Sequence, residues 1–161
     1  MLILLGLVLL FTAMQAQTVN KKEIYNPLAN AEKDLDSVIH KAKQEKKNVF
    51  VQIGGSWCSW CLKFQQVVDA DKEIDSISKN NYVVYHLNYS NENKNLALLK
   101  RFEFPQRFAF PVIVILDNKG KRLHTQNTTY LEDRGNYNRN HMLMFFKHWT
   151  PVALNADSYK R

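Results

Sequence analysis

The chain has 161 residues, 45% of them apolar and 12% aromatic, ample for the core of one domain. Its 22 basic and 15 acidic side chains leave a net charge of +7. That charge is spread along the chain and is densest from Lys41 to Lys47, which reads as a solvated helix face rather than a nucleic-acid patch. Only two cysteines are present, three positions apart, so a framework of stabilising disulfides is excluded. A loop that small gains little from being closed, and the pair is better explained by chemistry than by stability.

Met1 to Phe11 is almost wholly apolar, and Thr12-Ala13-Met14-Gln15-Ala16 follows with small residues. An apolar core of about ten residues is too short to span a bilayer as a helix and reads as a secretory signal. The expected cut is after Ala16, giving a mature chain from Gln17, with an uncleaved anchor as the alternative. Export delivers the chain to a compartment where disulfides form and persist. Residues 17–29 are polar and read as a loose lead-in.

From Asn30 onward, Leu35, Val38, Ile39 and Ala42 fall on one face of a helix that ends near Lys47. Asn48 to Ile53 reads as a buried strand, followed by Gly54-Gly55. Then comes Trp57-Cys58-Ser59-Trp60-Cys61, where the apolar spacing turns helical: Cys61, Phe64, Val67 and Val68 share a face. Cys58 therefore sits at the start of a helix that runs to about residue 71. Unpaired backbone N–H groups and the positive end of the dipole stabilise a thiolate there. Cys61 lies one turn on, on the same side, within reach of Cys58. Asp71 to Lys79 adds a short turn of helix, and Tyr82 to Asn88 is a second, β-prone strand. The helical crossover between the two strands makes them parallel.

Asn91 to Phe102 reads as a helix carrying Leu96, Leu99 and Phe102 inward, stopped by Pro105. Phe110-Pro111 leads into Val112 to Leu116, the most apolar run after the signal. Asp117 to Gly120 is a turn, and Lys121 to Asn127 is the hairpin partner. Thr128 to Asn138 reads as a loop. Met142, Phe145, Phe146 and Trp149 form a last amphipathic face, halted by Pro151. The domain is expected over residues 30–155, with 156–161 a tail.

From about Lys33 to Trp149 this order resembles a thioredoxin-like domain of the exported kind. Two separated stretches carry the resemblance: Gly54 to Lys63 around the W-C-x-W-C motif, and Phe110 to Gly120. It implies an α/β thioredoxin fold with a central mixed sheet of about four strands flanked by helices. It also implies a thiol-disulfide oxidoreductase, in which a thiolate attacks a client disulfide and a second thiol resolves the mixed disulfide. Cys58, at the helix start and expected to be exposed, is assigned as nucleophile, and Cys61, deeper and shielded, as resolver. The expected partners are proteins bearing disulfides or thiols, together with a membrane-bound thiol reductase as electron donor. Neither nucleic acid nor an organic or metal cofactor is called for. A zinc site would need ligands from His40, His86, His124, His141 or His148, and these lack the usual ligand spacing.

The resemblance further implies that Pro111 takes a cis bond beside the cysteines, freeing the Phe110 backbone to pair with a client strand. Trp57 is expected to pack beside the sulfurs and shape the client groove. Trp60 is expected either to offer apolar contact to a client or to cover Cys61. Three departures from thioredoxin stand out. Ser59-Trp60 replaces Gly-Pro between the cysteines, and Val112 follows the proline where Thr is common. Gln52 stands where thioredoxin has a buried Asp that helps deprotonate the resolving thiol. An amide is no base, so resolution is left to water or to a group the sequence does not identify. Lys63 is either a source of positive potential or an ordinary exposed lysine. Disulfide oxidase or isomerase activity, and a peptide-binding module with incidental cysteines, are the rival readings. The triplets Asn88-Tyr89-Ser90 and Asn127-Thr128-Thr129 match the glycosylation pattern by chance.

Overall fold

The structure is a computed structural model, and it describes residues 23–160. The signal-peptide reading over residues 1–16, and the lead-in as far as residue 22, lie outside the described residues.

A strand buried at every position, β1 (Asn48–Gly54), forms the middle of the molecule. Side chains alternate between the faces of a strand, so Val49, Val51 and Ile53 point to one layer while Phe50 and Gln52 point to the other. The first layer is closed by α1 (Ala31–Glu45), which buries Leu35 and Ala42, and by Leu98 and Leu99 of the short helix α4 (Leu96–Arg101). The second layer is closed by α2 (Ser59–Ala70), α3 (Lys72–Asn81) and α5 (Arg139–His148), through Phe64, Val68, Ile74, Met142, Phe145 and Phe146. Phe50 stacks on Phe146 at 5.0 Å between ring centroids in this layer.

The sheet completes itself around β1. The strand β2 (Tyr82–Asn88) pairs with it in parallel, with Gln52 opposite His86. The strand β3 (Val112–Leu116) pairs on its other side, antiparallel, and β4 (Arg122–Asn127) adds to β3, giving the order β2-β1-β3-β4. This four-stranded mixed sheet between two helical layers is the arrangement that the resemblance implies.

Five local expectations are corrected. The short turn expected from Asp71 to Lys79 is instead a ten-residue helix. The Asp71 carboxylate caps it, accepting from the backbone N–H groups of Glu73 and Ile74, and its polar surface had hidden the apolar side. The helix expected from Asn91 starts only at Leu96, because the asparagines before it bond one another: Asn95 Nδ2 donates to the Asn88 carbonyl and Asn88 Nδ2 to that of Asn93. Leu96, expected inside, is 62% exposed, and Leu98 takes its place. The expected loop after residue 127 holds a 3₁₀ turn and a small hairpin, β5 (Glu132–Asp133) with β6 (Asn136–Tyr137), which bury Leu131 and Tyr137. Finally, the described part of the lead-in is not loose, since Tyr25 is 1% exposed and is packed under the cysteines.

Asn88, in the first glycosylation-like triplet, is buried with its amide on Ser90 and Asn93. Residues Ala156–Tyr159 form one exposed 3₁₀ turn.

Candidate functional site

The strand β1 ends at Gly54, and α2 starts four residues later with Cys58 as its N-cap. Cys58 has extended backbone angles, and its Sγ accepts from the backbone N–H of Cys61 at 3.1 Å. The two sulfurs are joined as a disulfide across a Cα separation of 5.2 Å. Cys61 is 0% exposed and Cys58 5%. The expectation of an exposed Cys58 is thus corrected: it shows only an edge, because Trp60, Phe110 and Ile24 pack around the Tyr25–Cys58–Cys61 cluster. The order of access nevertheless holds, with Cys61 the deeper of the pair.

The rim is aromatic. The Phe110–Pro111 bond is cis, and Phe110 packs against the cysteine cluster. Phe110 stacks on Tyr89 at 4.9 Å and meets Trp57 edge-on at 5.5 Å. Trp57 is 58% exposed and stands on the Phe110 ring and the Tyr89 backbone, its indole N–H donating to the Tyr89 carbonyl at 2.7 Å. Gly55 permits this closeness, since a Cβ there would lie 2.4 Å from the indole nitrogen. Trp57, Tyr89, Ser90, Asn91 and Glu92 line an open cleft of about 440 Å³. On the other flank, Trp60 packs against the cysteine cluster and meets Tyr137 edge-on at 5.3 Å. Trp60 thus lies against the cysteine pair, where either role the sequence left open could act. Lys63 lies with its ammonium 4.6 Å from the Trp60 ring centroid and donates to the Gly135 carbonyl. It is tied to the hairpin, and is neither free nor aimed at the sulfurs.

Beneath the cysteines the departure at position 52 acquires a reason. The Gln52 amide is fully buried, and its Nε2 donates to the Cys61 carbonyl at 3.1 Å and to the Tyr25 hydroxyl at 2.7 Å. A carbonyl only accepts, so the atom facing it must be the NH₂ group, which fixes the amide's orientation. A carboxylate at this place would point oxygen at oxygen. Gly54 completes the arrangement: a Cβ there would lie 2.4 Å from Cys61 Sγ and 2.9 Å from the Tyr25 hydroxyl. The sulfur and the phenol oxygen therefore share one small space above a bare Cα. Burial pushes the Tyr25 phenol far above its ordinary value, an effect the bond from Gln52 only partly offsets. The hydroxyl stays protonated.

Cys58, Cys61, Trp60, Phe110, Pro111 and Trp57 are thus brought to one end of the sheet. Tyr25 and Tyr89 were missed by sequence reasoning. Tyr25 is one aromatic in a polar stretch, with no periodicity to mark it, and Tyr89 follows a strand that already looked complete.

A mixed sheet of order β2-β1-β3-β4 with a cysteine pair on the helix after its central strand defines a protein of the thioredoxin fold. The chain belongs to the thioredoxin-like family, whose model matches residues 30–118, more than half its length. Among solved structures it is similar to a disulphide isomerase from Xylella fastidiosa Temecula1. That pair shares 19% identity over 76% of this chain and 93% of the other, with a TM-score of 0.67. It is also similar, at 23% identity over 57% of this chain and 68% of the other, to a DsbH oxidoreductase, with a TM-score of 0.47. No curated protein matches the sequence. At these identities the likeness concerns the fold, and the chemistry rests on the cysteine pair, which is a C-x-x-C suited to thiol-disulfide exchange.

Proposed function

We propose that the protein is an exported thiol-disulfide oxidoreductase that reduces disulfides in other proteins through the Cys58/Cys61 dithiol. The observation that carries this reading is the N-cap position of Cys58, with its sulfur accepting the Cys61 N–H and the second sulfur sealed one turn beneath.

The Cys58 thiolate attacks one sulfur of a client disulfide. A Cys58–client bond forms, and the other client sulfur leaves as a thiolate and takes up a proton. The Cys61 thiolate then attacks Cys58 Sγ. The Cys58–Cys61 bond forms and the client's second sulfur departs with its electron pair, protonated by the equivalent that Cys61 gave to solvent. The client gains two electrons and the dithiol loses two. The sulfurs carry the electrons themselves, so no metal or organic cofactor enters. Trp57, Phe110 and Pro111 form the rim against which the client chain lies, with the Phe110 backbone as its strand partner. Trp60 shields the pair from the other side. The N-terminal signal would take the protein out of the cytoplasm, periplasmic in a Gram-negative bacterium and secreted otherwise. There a membrane-bound thiol reductase returns the disulfide to the dithiol.

The reducing direction is supported by the modest means of holding a thiolate at Cys58. A helix N-terminus and one N–H serve it, while the Lys63 ammonium is engaged by Trp60 and Gly135. Insulin reduction in the presence of excess dithiothreitol, with the reduction potential measured in a glutathione buffer, tests the proposal. Turnover above the dithiothreitol rate with a potential near the thioredoxin value, about −270 mV, supports it. A potential near about −120 mV with net oxidation of a reduced client would assign an oxidase instead. Peptide binding without turnover would assign a binding module.

A further inference from the structure

The buried acid expected beneath the resolving thiol is absent, and the space it would serve is filled from an unexpected direction. Tyr25 comes from the segment ahead of α1, and its hydroxyl lies against the same point above Gly54 as Cys61 Sγ. The orientation of Gln52 decides which way that hydroxyl donates. Nε2 must face the Cys61 carbonyl, and the same nitrogen lies 2.7 Å from the phenol oxygen, so the phenol accepts from Gln52. Its own hydrogen then needs an acceptor, and among the described residues the hydroxyl donates to no other side chain or carbonyl. In the disulfide form no bond joins it to Cys61 Sγ, yet the two atoms lie 2.9 and 2.4 Å from the same point above Gly54, which makes the sulfur the acceptor at hand once the disulfide opens.

We propose that Tyr25 is a positioning residue of the resolving step: its hydroxyl donates a hydrogen bond to Cys61 Sγ in the dithiol and mixed-disulfide states, favouring the thiolate that attacks Cys58. This rests on the reading of Cys61 as resolver. Tyr25 and Gln52 act as a unit. Gln52 holds the phenol oxygen by its lone pair and turns the O–H toward the sulfur. The phenol, kept protonated by burial, serves as a donor and not as the base. The proton of Cys61 passes to solvent and to the departing client thiolate. The other titratable groups about Tyr25 are Cys58, His86, whose ring meets the phenol edge-on at 5.6 Å, and Tyr137. The chemistry of thioredoxin's acid is thus replaced by a neutral donor, which lowers a thiol's pKa by bonding to its charged form rather than by taking its proton.

The test follows the Cβ NMR shifts of both reduced cysteines across pH in the full mature chain and in its Tyr25→Phe variant. Phe keeps the ring and its packing and removes only the hydroxyl. The Cys61 midpoint should rise by about one unit, a tenfold loss of thiolate at any pH below it, while the Cys58 midpoint moves less. Stopped-flow release of the client from Cys58 should slow tenfold over the same range. An unchanged Cys61 midpoint in folded Tyr25→Phe overturns the proposal, since a purely packing role leaves it there. If Tyr25→Phe does not fold, a ring-fluorinated tyrosine at position 25 has nearly the same shape and a stronger donor. It should lower the Cys61 midpoint, and no movement again overturns the assignment. A shifted midpoint without insulin turnover would sink the reductase reading and leave this one standing. Turnover with an unmoved midpoint does the reverse.

Discussion

The amide nitrogen of Gln52 lies 2.7 Å from the hydroxyl of Tyr25, joining the middle strand to a segment 27 residues earlier in the chain. The bond is wholly buried, and the same nitrogen also reaches the backbone carbonyl of Cys61. A donor at position 52 therefore bonds both the segment that closes the site and the helix that carries the second cysteine. An ionised aspartate could accept from the Tyr25 hydroxyl but could not bond the Cys61 carbonyl. The departure at position 52 thus gives one buried group that donates to Tyr25 and to Cys61 together.

The two cysteines should behave differently when removed. Cys58→Ser is expected to abolish exchange and to leave no covalent client adducts. Cys61→Ser should also stop turnover, yet the attack step survives, so adducts accumulate on Cys58. Non-reducing gels of both variants, expressed where the protein normally resides, read the outcome. Adducts on the Cys58→Ser protein alone would reverse the roles.

Gly54 has no spare space. A methyl group there would meet Cys61 Sγ at 2.4 Å and the Tyr25 hydroxyl at 2.9 Å. Both neighbours are held by bonds of their own, so relaxation is costly. Gly54→Ala should destabilise the fold by about 1–3 kcal/mol, measured by urea unfolding of the oxidised protein. An unchanged midpoint would show that Cys61 and Tyr25 yield to the methyl group at little cost.

Trp57 stands exposed on Phe110 and Tyr89 and faces the cleft. Its removal should leave the core intact, costing about 0.5–1.5 kcal/mol for the ring contact. Trp57→Ala should raise KM for a protein client severalfold while kcat changes little. Loss of kcat with KM unaltered would argue that the indole serves the sulfurs instead of the client.

Stability should fall in acid through one cluster that links α3 to α5. Asp71 is held below the usual carboxylate range, first by the Ile74 N–H and then by Arg139. Glu73 is held low first by Lys147 and then by Arg139. A carboxylate whose folded value is depressed stabilises the fold above its unfolded value of about 4. That contribution is lost as pH drops through the folded value. Arg139→Leu should therefore flatten the dependence of the unfolding midpoint between roughly pH 5 and pH 2. A slope identical to that of the parent protein would remove Arg139 from the account.

The mature protein should begin near Gln17. Intact-mass measurement on protein recovered from its native source checks this directly, and a chain that retains Met1 would replace cleavage with anchorage.

Wherever a local pattern carried the signal, the amino-acid order was enough. Val49, Val51 and Ile53 alternate with Phe50, and Val112 to Leu116 is apolar throughout, so strands β1 and β3 were legible without any partner in view. The switch to helical spacing after Cys58 put the first cysteine at a helix start, and the resemblance carried by Gly54 to Lys63 and Phe110 to Gly120 supplied the topology and the cis proline. What the order of residues did not hold was anything decided by contact between distant segments. Asp71 reads as an ordinary polar residue until the N–H groups of Glu73 and Ile74 meet its carboxylate, and Leu96 reads as core until three asparagines claim the turn before it. Tyr25 is the plainest case. Its burial comes from no periodicity of its own but from Gln52, Gly54 and Cys61, which offer a bond and a space only once the sheet is assembled. The sequence by itself determined where the reactive sulfurs sit, because a helix start is a local property. Only the tertiary structure decided what surrounds them, because burial and hydrogen bonding depend on which residues the fold brings together.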